Sequence, residues 1–139
     1  MAVSDVAVSM PTLSGGSAEW LKEFDDVPVA LRQAASLPSP TSAHPLDVAQ
    51  FPTGARVISE PAIRRICAGD VEEGWATFRR EYGAEGWLTF SDVLFTRDAL
   101  DALVYYEARC GGLCGEGRYA WLHRDAASSS WSIRKKIIS

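Results

Sequence analysis

Long apolar runs are missing from this 139-residue chain, and none approaches the roughly 18 consecutive apolar residues that a membrane-crossing helix needs. Its opening, Met1-Ala2-Val3-Ser4-Asp5, has neither a basic start nor an apolar continuation, so it does not read as a signal peptide. The expectation is a cytoplasmic chain, or an exported one if a leader has been removed. Histidine is scarce, and the three cysteines are an odd count that suits a reducing compartment or one bridge with a spare thiol. Familiar catalytic strings are absent too: there is no Gly-x-Ser-x-Gly, no His-Glu-x-x-His and no phosphate-binding loop ending in Lys-Ser or Lys-Thr. No catalytic residue, cofactor or metal ion is therefore expected. Excess positive charge is lacking as well: the net charge of -4 argues against a general nucleic-acid or anionic-membrane binder. Another protein is the expected partner, and the oligomeric state is not readable.

What is present is enough apolar residue, 47%, for one folded domain. Residues 1–16 are small and polar and end in Ser14-Gly15-Gly16, the composition of a flexible arm, so residues 17–139 are expected to form a single α+β domain. Ser17 suits a helix cap before Trp20, Leu21 and Phe24, and Asp26 suits the next, with Pro28 in its first turn. Prolines 38, 40, 45 and 52 make Leu37 to Gly54 a connector, with His44 an ordinary loop residue. Arg56 to Ile58 is a brief strand. Ser59 then caps a helix through Ile66 in which Cys67 is expected to be buried. Asp70 and Glu73 have capping-box spacing ahead of a helix with Trp75, Phe78 and Tyr82 on one stripe, and Gly83 ends it.

After Gly86 the period changes to two, over Trp87 to Phe95, Ala102 to Ala108, Tyr119 to His123 and Trp131 to Ile138. The links between these runs are short. The expected fold is therefore N-terminal helices packed on one face of a four-stranded antiparallel meander.

The organising stretch is Cys110-Gly111-Gly112-Leu113-Cys114-Gly115-Glu116-Gly117, a glycine-laden hairpin turn. A symmetric hairpin sets Arg109 opposite Arg118, a like-charge pair that Glu107, Glu116 or an anion bound by loop amides would relieve. Arg109, Gly111, Gly112, Gly115, Gly117 and Arg118 are thus candidate binding residues. Cys110 and Cys114, with three residues between them, are close enough for a local disulfide; a redox pair is the alternative, and zinc comes last because only His123 offers a third ligand. Beyond Gly117, Arg118, Arg124, Arg134, Lys135 and Lys136 meet only Asp125, while Glu19 to Asp26 is acidic. That polarity either pairs within the fold or faces an acidic partner.

Phe78 to Tyr82, Gly86, Leu88, Phe90-Ser91, Phe95, Ala102 to Tyr105, the Cys110 to Gly115 loop, Gly117, Tyr119 and Trp131 together carry a resemblance. This stretch, about the last 65 residues of the chain, resembles a group of uncharacterised bacterial proteins. In that group a helix precedes strands of the type S-R-V-G-F and A-L-V-Y, followed by the loop C-G-G-L-C-G-x-G-x-Y. Members often look exported, which implies an oxidised Cys110 and Cys114. The group's Arg-Val-Gly-Phe is Asp92-Val93-Leu94-Phe95 here, so any role of that arginine is lost. The resemblance implies no activity. Two functions are carried forward: a small non-catalytic binding or protein-interaction domain with a Cys-Gly-rich hairpin loop, and a thiol-dependent redox or sensor protein using Cys110 and Cys114.

Overall fold

Local chemistry starts each helix of the computed structural model, which describes residues 1–38, 44–47, 49 and 51–139. Residues 39–43, 48 and 50 of the proline-rich connector lie outside the described residues. Ser17 accepts a hydrogen bond from the Trp20 amide and opens α1 (Ala18–Leu21). Helix α2 (Val29–Ala35) begins after Pro28 with no side-chain cap; Asp26, expected as that cap, instead binds Lys135. Ser59 and Asp70 cap α3 (Glu60–Cys67) and α4 (Val71–Tyr82) by accepting the amides of Ala62 and Glu73. Gly83 ends α4 in the left-handed conformation, φ 57°, and the Arg56 guanidinium donates to the freed carbonyls of Tyr82 and Gly83.

The sheet corrects the expected four-stranded antiparallel meander. Seven strands form one mixed sheet: β1 (Ala2–Ser4), β4 (Arg56–Ile58), β5 (Trp87–Phe90), β6 (Leu94–Phe95), β7 (Asp101–Arg109), β8 (Gly115–Arg124) and β9 (Trp131–Ile138). Their order is β4-β1-β5-β7-β8-β9, with β6 also paired to β7. Strand β1 is parallel to both β4 and β5, and such neighbours need a long crossover, which α3 and α4 supply between β4 and β5. A second, two-stranded sheet pairs β2 (Val6–Ala7) with β3 (His44–Pro45). The run expected from Trp87 to Phe95 is broken into β5 and β6 at Asp92 and Val93, just after Ser91, which donates its amide to the Tyr105 carbonyl and receives the Tyr105 amide on its hydroxyl.

Residues 1–16 are likewise not an arm. Ala2 and Ser4 are fully buried in β1, and the Ala2 amide donates to the Gly86 carbonyl while Asp5 donates to Ile58. Composition missed this because three residues of small side chain are too few to show a strand period, yet two flanking strands satisfy their backbone groups.

The chain divides into two compact units. Unit 1 comprises Met1–Val8, Ala43–Phe90 and Glu107–Gly117; unit 2 comprises Ser9–Ser42, Ser91–Tyr106 and Arg118–Ser139. Each has its own core. In unit 1, Ala2, Ile58, Ile66, Trp75, Phe78 and Trp87 pack together, with the Trp75 and Trp87 rings stacked at 4.7 Å and 17°. In unit 2, Leu31, Leu103 and Ile137 surround an aromatic set in which Phe24 and Tyr105 approach Tyr119 at 5.3 and 5.1 Å.

Candidate functional site: a cleft beside the bridged hairpin

A cleft of about 490 Å³ opens within unit 1. Its apolar wall comes from the facing sides of α3 and α4, which contribute Ile63, Ile66, Val71 and Trp75, and from Trp87 of β5. Caps at Ser59 and Asp70 fix where the two helices start. The α3 terminus is held further by Asp5, whose carboxylate accepts the Glu60 amide at 3.0 Å. Ser4, Val6 and Val8 of the N-terminal segment line the cleft as well.

The remaining lining is the base and tip of the hairpin: Glu107, Arg109, Gly111 and Gly112. Cys110 and Cys114 are joined in a disulfide with Cα atoms 5.1 Å apart, and the Cys110 amide donates to the Cys114 carbonyl at 3.1 Å. Gly111 has φ 142°, a conformation that side chains other than hydrogen rarely adopt. A Cβ on Gly112 would lie 2.8 Å from Val71 Cγ1, so the tip rests against the first residue of α4. At the base, a Cβ on Gly86 would stand 2.1 Å from the Arg109 carbonyl oxygen, a close approach that brings β5 and the hairpin together.

Three of the binding residues expected from sequence, Arg109, Gly111 and Gly112, line the cleft; Gly115, Gly117 and Arg118 lie in β8 and are not among its lining residues. The symmetric hairpin register is also corrected. The Arg124 amide donates to the Leu100 carbonyl at 2.7 Å and Cys110 to Cys114, bonds of a single register that sets Arg109 opposite Gly115. A Cβ on Gly115 would indeed lie 3.9 Å from Arg109 Cδ. Arg118 pairs across β9 with Ile138, and Arg109 Nη2 sits 3.0 Å from Glu107. The repulsion that motivated a bound anion is therefore not built into the turn.

Cys67, expected to be buried, is exposed and lines the cleft. It carries the chain's one free thiol among the described residues, and no histidine lines the cleft to activate it. A His–carboxylate contact lies in unit 2, where Asp101 Oδ1 accepts the Trp121 indole N–H at 2.8 Å and is 3.0 Å from His123 Nδ1. Ser132, the cross-strand neighbour of His123, directs its hydroxyl to the His123 carbonyl at 3.5 Å, so that pair serves to order side chains. Among the described residues no group of three His, Cys, Asp or Glu could hold a metal ion, and no helix is long and apolar enough to cross a membrane.

No protein-family model matches the chain, and no curated protein or solved structure proved similar to it.

Proposed function

We propose that this chain is a non-catalytic binding domain whose unit 1 cleft receives a small ligand, or a partner's side chain, with an apolar body. One observation carries the reading: an apolar wall of Ile66, Val71, Trp75 and Trp87 meets a rim where Arg109 and the Gly111-Gly112 tip offer polar contacts. That pairing of a large apolar surface with a few fixed polar groups is the usual make-up of a ligand pocket. The disulfide at the rim fixes the tip, so less conformational freedom is lost on binding.

The test uses N-phenyl-1-naphthylamine, a neutral apolar fluorophore, titrated into the intact protein before and after Cys67 is capped with a bulky maleimide. Saturable binding that capping or Val71→Arg abolishes is expected. Equal fluorescence gain in capped and uncapped protein overturns the cleft as the site. Val71 is 55% exposed at the start of α4, so the substitution does not enter the core.

A second reading, thiol-dependent redox sensing, is favoured by one further observation: Cys67 and the Gly111-Gly112 tip of the bridged loop line the same cleft. The Cys67 thiolate would attack one bridge sulfur, forming a new S–S bond and releasing the other cysteine as thiolate, with no external oxidant. Peptide mapping at mildly alkaline pH should then show Cys67 bridged to Cys110 or Cys114. Recovery of the Cys110–Cys114 bridge alone eliminates it.

A further inference from the structure

The basic run near the C-terminus is divided by the sheet. Strand β9 pairs with β8 so that Tyr119 faces Ile137, Trp121 faces Lys135 and His123 faces Ser132, all on the side that carries the unit 2 core. Lys135 is accordingly spent within the fold: its ammonium is 3.0 Å from Asp26 and donates to the Glu23 carbonyl. On the opposite side Ala120 faces Lys136, Leu122 faces Ile133 and Arg124 faces Trp131. A bulge between Trp121 and Leu122 leaves the exposed Arg134 without a cross-strand partner. Phe95, paired with Ala102 and so directed away from Leu103 and the core, meets Trp131 edge-on at 6.0 Å.

This outer face is both apolar and cationic. Phe95, Trp131 and Ile133 are 57%, 42% and 53% exposed. Arg124 lies over the Trp131 ring at 5.8 Å, and its Nε is buried with no hydrogen-bond partner. Among the described residues no carboxylate lies within ion-pair distance of Arg124, Arg134 or Lys136, although the whole chain carries a net charge of -4.

From this we infer that the outer face of the unit 2 sheet, built on Phe95, Trp131, Ile133, Arg124 and Lys136, docks an acidic protein surface that also presents apolar side chains. Tryptophan, phenylalanine and arginine in contact are the composition of an interface centre, and an acidic chain that concentrates unpaired cations on one face selects a partner of opposite sign. A second copy would set these cations against their equals if it met the same face. An anionic bilayer is the poorer fit, because the chain as a whole carries a net charge of -4 and would be repelled by a surface of the same sign.

The intact protein is titrated with three synthetic peptides of one length, in which Leu and Phe alternate with Glu and Asp, with Lys and Arg, or with Ser and Gln. Mixed phosphatidylcholine–phosphatidylserine vesicles form a fourth arm. The acidic peptide should bind at least about tenfold tighter than the other two, weakening as salt screens the charges. Arg124→Glu with Lys136→Glu should lower that affinity by at least about tenfold, on the scale of desolvated interfacial charge pairs. Lys135→Met, on the core side, should leave it unchanged. The proposal fails if the acidic peptide shows no advantage, if the double charge reversal changes nothing, or if only the vesicles bind.

Discussion

Gly74 decides how closely α4 can approach α3, and with it the width of the unit 1 cleft. A Cβ at this position would stand 2.2 Å from the Ile66 carbonyl oxygen and 3.2 Å from its carbonyl carbon. By helix propensity alone, Gly74→Ala would stabilise the protein by about 1 kcal/mol. Against that, the obstacle is backbone, which cannot swing aside as a side-chain end does. The helices must part by about an ångström, and overpacking of this kind costs about 3 kcal/mol. The contact therefore outweighs propensity, and a net loss of about 2 kcal/mol is expected, lowering the melting temperature by roughly 6–10 °C for a chain of this size. Urea unfolding followed by tryptophan fluorescence measures it. Gly69→Ala is the control, because a Cβ there meets nothing within 4 Å and its effect should stay within about 0.5 kcal/mol. If Gly74→Ala proved as stable as the parent, the helices would not be in the contact described, and the cleft wall built on Ile66 and Trp75 would lose its basis.

Two titrations probe unit 2. Burial, reinforced by the neighbouring Tyr105, pushes the Tyr119 hydroxyl up to about 12, so its contribution is whole below pH 10 and is lost as pH rises through the folded value. A rise of that size corresponds to on the order of 2 kcal/mol, expected as a fall in stability between about pH 10 and 12. Tyr119→Phe should remove that alkaline step while costing about 1 kcal/mol at neutral pH through the lost bond to the Pro11 carbonyl; an unaltered alkaline step refutes it. The hydrogen bond from Lys135 holds the Asp26 carboxyl below its ordinary range, so what it contributes is present above 3.8 and is lost as pH falls through the folded value. Lys135→Met should raise the Asp26 titration midpoint toward 3.8, read by carboxyl-carbon NMR, and an unmoved midpoint would show that the pair does not persist in solution.

Where local chemistry settles an element, the sequence sufficed: the caps at Ser17, Ser59 and Asp70, the stop at Gly83 and strand Trp131–Ile138 all follow from neighbouring residues. The mixed sheet was hidden because its parallel pairs are set by partners far apart in the chain. Val3 meets Val57 and Leu88, and nothing in Ala2-Val3-Ser4 distinguishes a central strand from a loose start. Ile58 and Trp87 bury Ala2 from outside, so its conformation belongs to the tertiary fold and not to its own propensity.

The candidate site was legible to the extent that glycine marks unusual backbone, which led to Gly111 and Gly112 but not to the wall they face. Cys67, Val71 and Trp75 recur every four residues, yet Ala68 to Asp70 interrupt the helix between the first two, so no single period joins them. The basic run shows the same loss of information in a different form. Lys135 and Lys136 are adjacent and chemically identical, and alternation sends one to Asp26 and the other to the opposite face. A charge count along the chain adds them together. Their roles separate only once the Trp121–Leu122 bulge has set the phase of β9, so the internally paired reading of that run describes Lys135 and not its neighbour Lys136.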